Sequence, residues 1–456
     1  MPEQSVSERL ANFAIRSKER GLPPDVVHEA KRLLLNQLKA SVGATQTDAV
    51  RILHETVSPP RSDQAPAHVL WFGTKTTEED AALVNGALFE VLDFHDTYIP
   101  CYMHATSAVL PAVIAAAEAN GRSGSEVVEA LALGMEIELA VATMLMPTAY
   151  FRGYVPAGLT GGVGAAAACA VLGRLDEGQM RDALGIAMCT AFGLYVSVGS
   201  MSLSYITGAT ARSGLTAFKL AKRGFDAPRT AFEGEKGMLV THSDEDAKKI
   251  YNVLDTLGQT WRIHGQTYKV IPTETITHAP VELVLEVLPR VNGRTVSSLE
   301  FAVCPIVKEI CDERMARFGV PNSELTARFD TCYCAAAAWH RGRFTLDEMR
   351  APAYTDQEIL NLRTRIRLVA DPNRKTFEGC SLTVTFTDGT TETANVDAFL
   401  GSPGRRMTDE QLSDLFRSSA ATYFPRPKVD RILDAVWNVD KADSVADLVD
   451  LLTIEQ

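Results

Sequence analysis

Residues 109–119, 126–144 and 180–198 are apolar segments built largely from alanine and leucine. Almost nothing before residue 265 alternates with a period of two. Small residues of high helix propensity in long runs suit helices that pack at close range. Pro23 and Pro24 stand directly before Asp25-Val26-Val27, an expected helix start. The first 260 or so residues therefore predict one large all-helical domain.

The texture changes near Tyr268. Segments 296–303 and 365–370 read as strands, and 381–386 with 390–396 flank Thr387-Asp388-Gly389, a hairpin signal. Helical patterns at 279–288 and 330–340 lie among them. After Gly401-Ser402-Pro403-Gly404, Thr408 is placed to cap a further helix. The expected fold is mostly α, with a discontinuous helical domain over 1–267 and 405–456 and a smaller α+β domain over 268–404. There is no internal repeat and no low-complexity tract.

With 45 Lys and Arg against 57 Asp and Glu, the net charge is −12. That balance argues against a nucleic-acid or anionic-membrane partner, both of which want clustered positive charge. A local cationic pocket for a small anion remains compatible with it. The eight cysteines have mostly apolar or small neighbours and read as buried free thiols. Residues 1–11 lack the apolar core of a secretory signal. The uncharged stretch 183–211 is long enough to span a bilayer but is studded with Gly, Ser and Thr, so it reads as a core helix pair broken at Gly199-Ser200. A cytoplasmic protein without membrane contact is expected.

Familiar cofactor motifs are discarded in turn. The run Gly158-Leu-Thr-Gly161-Gly162-Val-Gly164 follows no strand pattern and reads as close helix packing. Cys332 and Cys334 have neither zinc-finger spacing nor a second pair. No Walker A lysine and no nucleophile elbow occur. Hence no cofactor is expected. Two clusters remain. Leu92-Asp93-Phe94-His95-Asp96-Thr97 through His104 puts acids and histidines between apolar helices, either as a satisfied polar network, a water-facing turn or the lining of a cleft. No metal is expected from His95 and His104, whose spacing matches no recognised ligand pattern. The second cluster, Lys269 through Glu274 to His278 on a proline-bent loop, holds a cation, a carboxylate and an imidazole, which proton transfer needs. Its bland reading is a Lys269–Glu274 surface pair with Thr277 capping the next helix.

These clusters, in this order, resemble the MmgE/PrpD family of 2-methylcitrate dehydratase, cis-aconitate decarboxylase and iminodisuccinate epimerase. Leu92-Asp93-Phe94-x-Asp96-Thr97 is similar to the family's Leu-Asp-Phe-Asp-Asp-Thr, and His104-Ala-Thr-Ser-Ala-Val-Leu-Pro111 to its His-Pro-(Ser/Thr)-x-x-Val-Leu-Pro. Ala183-Leu-Gly-Ile-Ala187, Phe232-Glu233-Gly234-x-x-Gly237, Lys269-x-x-Pro272 with His278, Ala327-Arg-Phe329-x-x-x-Tyr333 and Gly401-Ser402-Pro403 match in register. The resemblance spans almost the whole chain. It implies a helical domain plus a smaller lid domain, a homodimer, a small carboxylate substrate and cofactor-free lyase or isomerase chemistry beside that carboxylate. By position it implies pocket roles for Asp93, Thr97, His104, Lys269 and His278. Lys269 would face the developing charge, His104 would carry the proton and Asp93 would orient it.

Departures from the pattern reshape that expectation. Val155 stands where many members have an imidazole, and Leu203 and Ile206 stand where they have Lys and His. One wall of the pocket should therefore be apolar, and the substrate less anionic than 2-methylcitrate. His95 replaces an acid, and Glu274 stands where relatives have Cys or His. One reading makes His95 a new binding group and Glu274 a base paired with Lys269. The alternatives are an epimerase, isomerase or decarboxylase of a dicarboxylate, or a relative that only binds a ligand.

Overall fold

The computed structural model describes residues 4–57 and 65–454; of the N-terminal segment read above as no signal, residues 1–3 lie outside them. Twenty α-helices and few strands make up the described residues, the mostly-α fold expected. None of these helices is long and apolar enough to cross a membrane. Contacts divide the chain into two compact units, Met1–Gln266 with Thr408–Gln456, and Thr267–Met407.

The first unit is arranged around the helix Pro156–Leu172, which is buried along its whole length. A helix apolar on every side can only be stable when neighbours cover every side. Helices Ala105–Ala119, Gly124–Leu145, Glu177–Cys189 and Ser202–Ala221 do so. Its glycines set the distances: a Cβ at Gly161 would lie 2.8 Å from the Ala108 Cβ, and one at Gly164 would lie 2.6 Å from Glu138 Oε2. The glycine-rich run is thus helix packing, as its sequence suggests. The helices Asp409–Ala420 and Arg426–Trp437 lie against Pro24–Ser41, which brings the end of the chain back to its beginning. Thr408 caps the first of them with its hydroxyl accepting from the Gln411 N–H, and Pro24 opens the helix expected at that place.

Two expectations fail locally. The segment 180–198 is not one helix: Glu177–Cys189 ends first, and Ser202–Ala221 begins only after a loop containing the single turn Tyr195–Ser197. Gly193 at φ 115° and Gly199 at φ 84° cannot continue a right-handed helix. The loop's backbone is bound elsewhere, with Phe192 N–H donating to the Gly158 carbonyl and Val155 N–H donating to Gly193. Nor is this unit purely helical. Ala67–Val69 pairs antiparallel with Thr74–Thr76, and Trp71, between them, accepts from Ile454 and donates to the Leu452 carbonyl.

The second unit holds a four-stranded sheet in the order Ile366–Ala370, Val296–Val303, Cys380–Phe386, Thr391–Val396. The first two strands are parallel and the other pairings antiparallel. Gly389 at φ 81° makes the hairpin that Asp388-Gly389 announces. Alternate residues of Cys380–Phe386 are buried, and Leu299, Phe301, Leu382 and Val384 form one core with Val284 of His278–Val287 and Tyr333 of Thr331–Arg341.

A close helix contact in the first unit joins Glu78–Glu90 to Ser202–Ala221, where a Cβ at Gly208 would collide with the Leu83 carbonyl oxygen and a Cβ at Gly86 would lie 2.6 Å from the Gly208 Cα. Gly208→Ala should lower stability by about 1–3 kcal/mol, the usual cost of overpacking a rigid contact. Urea unfolding checks this; an unchanged midpoint would mean the two helices separate freely.

Candidate active site

The helix Glu78–Glu90 runs out at Val91 and the chain reverses at Asp93, whose φ of 49° is left-handed and whose N–H donates to the Glu90 carbonyl. Aspartate tolerates that conformation better than most residues. Phe94 is then fastened by Lys39, a lysine 1% exposed on the helix Pro24–Ser41. Its Nζ donates to the Phe94 carbonyl over 2.7 Å and lies 3.5 Å from the ring centroid. A buried ammonium held this way spends its charge on positioning the turn.

The next segment closes on itself. Tyr98 and Met103 exchange backbone hydrogen bonds of 2.7 and 3.1 Å around the single turn Ile99–Cys101, with Tyr102 left-handed at φ 55°. Thr97 and His104, seven residues apart, therefore meet. The His104 Nδ1 lies 2.9 Å from the Asp96 carbonyl oxygen and 3.2 Å from Thr97 Oγ1. A carbonyl only accepts, so Nδ1 carries the proton and Nε2 is the ring's basic nitrogen. His104 immediately precedes Ala105–Ala119, and Gln37 ties that helix in place by donating 2.8 Å to Ser107 Oγ.

His95 is fully buried beside this histidine. The rings meet edge-on with centroids 4.3 Å apart, and His95 Nε2 lies 3.7 Å from Asp93 Oδ1 and 3.8 Å from Glu90 Oε2. Sequence reading passed over Glu90; its only signal is a single acid at the end of a helix whose last turns are otherwise apolar. Lys39 was missed for the same kind of reason.

Val155 and Ile206 are both buried and both flank Gly193, the first by its backbone bond and the second through a side chain 3.0 Å from the position of a Gly193 Cβ. Leu203 lies half-buried one turn before Ile206. Beyond them the surface stays apolar, with Leu194 and Tyr205 exposed. This region adjoins the histidine loop: the Tyr102 and Tyr150 rings are 4.6 Å apart, the Tyr150 and Tyr195 hydroxyls are 2.9 Å apart, and Thr160 Oγ1 is 3.6 Å from Met103 Sδ.

In the second unit, Lys269 and His278 are each 1% exposed. The His278 Nδ1 lies 3.3 Å from the Glu274 carbonyl oxygen, and its ring lies 5.1 Å from that of Phe399. The Glu274 carboxylate accepts from Arg314 Nη2 over 2.9 Å. Arg314 lies on Pro305–Phe318, forty residues further along, where sequence spacing could not find it. Thr277 does precede the helix His278–Val287, but its side chain makes no capping bond; it meets Thr331 Oγ1 at 3.2 Å instead.

The sequence matches the MmgE/PrpD N-terminal domain over residues 8–250 and the MmgE/PrpD C-terminal domain over residues 271–441. The chain belongs to the MmgE/PrpD family. It is 24% identical to the cis-aconitate decarboxylase of Homo sapiens, across 98% of this chain and 95% of that protein. To the cis-aconitate decarboxylase of Mus musculus it is 24% identical across 98% and 93%, and to that of Aspergillus terreus 24% across 99% and 96%. Both clusters of candidate site residues fall inside or at the edge of the matched regions, with Lys269 two residues before the second.

Glu138, on Gly124–Leu145, is fully buried, and both carboxyl oxygens lack a hydrogen-bond partner among the described residues. Burial, reinforced by the charge of Asp96, holds its pKa well above the usual 4.5. The fold keeps this proton where the unfolded chain has lost it, so above pH 4.5 its contribution to stability falls by about 1.4 kcal/mol per pH unit until the folded carboxyl ionises. Glu138→Gln should remove one proton from that slope. Urea midpoints followed from pH 5 to 8 should therefore fall less steeply for the variant than for the parent (slopes differing by about one proton); parallel curves would place the charge on Glu138 already at the lower pH.

Proposed function

We propose that this chain is a lyase acting on a small organic acid, making or quenching a carbanion on the carbon beside a carboxylate. The observation that carries the proposal is the His104 tautomer, with Nδ1–H committed to the Asp96 carbonyl and Nε2 basic. An imidazole titrates near neutrality, so such a nitrogen can take a proton and return it. Family membership and the names of the relatives, which are decarboxylases, support the lyase class.

The proposed chemistry has two outcomes. In dehydration Nε2 removes the proton alpha to the carboxylate, and the hydroxyl on the next carbon takes that proton back from the imidazolium and leaves as water. In decarboxylation the bond to CO2 breaks and the imidazolium protonates the carbon left behind. Both steps lie within the reach of an imidazole and call on no bound cofactor. Asp93 and His95 orient His104 and adjust the charge around it, and Thr97 binds or steers the substrate. By their place in the resembling motif, Lys269 and His278 are proposed as ligands of a substrate carboxylate. Glu274, whose charge Arg314 meets, is proposed to hold the Lys269–His278 loop in shape. The apolar group of Val155, Leu203 and Ile206 favours a substrate with fewer charges than a tricarboxylate, because an ionised carboxylate pays a large desolvation cost against such a wall.

Proton NMR in deuterated water, with a panel of hydroxy and unsaturated mono-, di- and tricarboxylic acids, tests the reading. Deuterium should enter the carbon beside a carboxylate of one acid, with loss of water or CO2, and 2-methylcitrate should be left untouched. His104→Asn should lower kcat by about 10²–10⁴, the span of general acid–base catalysis. Turnover that survives His104→Asn within about threefold, against that span, would remove this histidine from the reaction.

A further inference from the structure

The loop that folds Thr97 back onto His104 also collects donor atoms that the sequence keeps apart. Glu90, His95 and His104 each place one ligand atom within 4.8 Å of the other two. His95 Nε2 and Glu90 Oε2 are 3.8 Å apart, and Asp93 Oδ1 lies 3.7 Å from the same nitrogen. A zinc-class ion bound at about 2.0–2.2 Å in tetrahedral geometry holds its ligands roughly 3.4 Å from one another. The side chains have to draw in by about an ångström, a rotamer adjustment and not a backbone one.

We propose that Glu90, His95 and His104 bind one divalent transition-metal ion. Two imidazoles and a carboxylate suit zinc, cobalt, nickel or iron, whereas magnesium and calcium prefer oxygen alone. The contact behind the first ligand is already made: His104 Nδ1 donates to the Asp96 carbonyl, which directs Nε2 as the donor. The ion would take the Nε2 lone pair that proton transfer uses, so loading opposes the reaction proposed above. That consequence rests on the proposed reaction, whereas metal uptake does not.

The experiment uses the full chain without an affinity tag, stripped with a chelator. Zn²⁺ is titrated by calorimetry, and Co²⁺ by its visible absorption. One equivalent of Zn²⁺ should bind, and Co²⁺ should give the intense bands of a four- or five-coordinate nitrogen–oxygen site. His95→Gln and Glu90→Gln should each weaken zinc by more than the about 10–100-fold that loss of an outer contact costs. Absence of stoichiometric uptake overturns the proposal. So does zinc binding unchanged in His95→Gln, which would assign the ion to surface histidines. Where a variant does not fold, the parent's Co²⁺ spectrum decides, because the weak bands of six-coordinate cobalt contradict the site.

Discussion

The contact on which the first unit depends is backbone against backbone. The helix Pro156–Leu172 is buried throughout, and its neighbours approach so closely that a Cβ at Gly158, Gly161 or Gly164 would collide with them. Dispersion over such surfaces is strong because every atom has a partner at contact distance. Close packing also leaves no room for sliding, so the ends of these helices have fixed places. His104 sits at the start of one helix against this frame, and Val155 sits at the start of the central helix itself. The side chains at these two helix starts are thereby held against a closely packed part of the unit.

In each unit, charged and polar groups are held by fixed contacts. Lys39 grips the Phe94 carbonyl, Asp96 offers its carbonyl to His104, and Arg314 meets Glu274. Each contact removes a rotational freedom of the side chain that makes it. Glu138 is the exception. It carries no charge partner of opposite sign among the causes that shift it, and Asp96 adds a like charge. A neutral carboxyl is the form such a place selects.

What could be read from the sequence follows from how local each signal is. The Asp388-Gly389 hairpin needs only a left-handed glycine between two alternating runs, and it is where those residues put it. The Thr408 cap and the Pro24 helix start are equally local. The break at 190–201 was misplaced because apolar loop and apolar helix have the same composition; what ends the helix is hydrogen bonding to Gly158 and Val155, more than thirty residues earlier. Strands of three residues, Ala67–Val69 and Thr74–Thr76, are too short to show a period. In the candidate site, Asp93, His95, Thr97 and His104 were legible as a cluster, while Glu90 and Lys39 were hidden inside helices and Arg314 on a distant one. Thr277 had the residue type of a cap and a nearer partner in Thr331.

The account turns on which nitrogen of His104 holds the proton. Nitrogen-15 NMR of the imidazole, in histidine-labelled protein with His104→Asn to assign the signal, reads this directly at neutral pH. The account predicts the Nδ1–H tautomer, with Nε2 resonating as an unprotonated nitrogen. A neutral ring protonated on Nε2 would contradict it, because Nδ1 could not then donate to the Asp96 carbonyl.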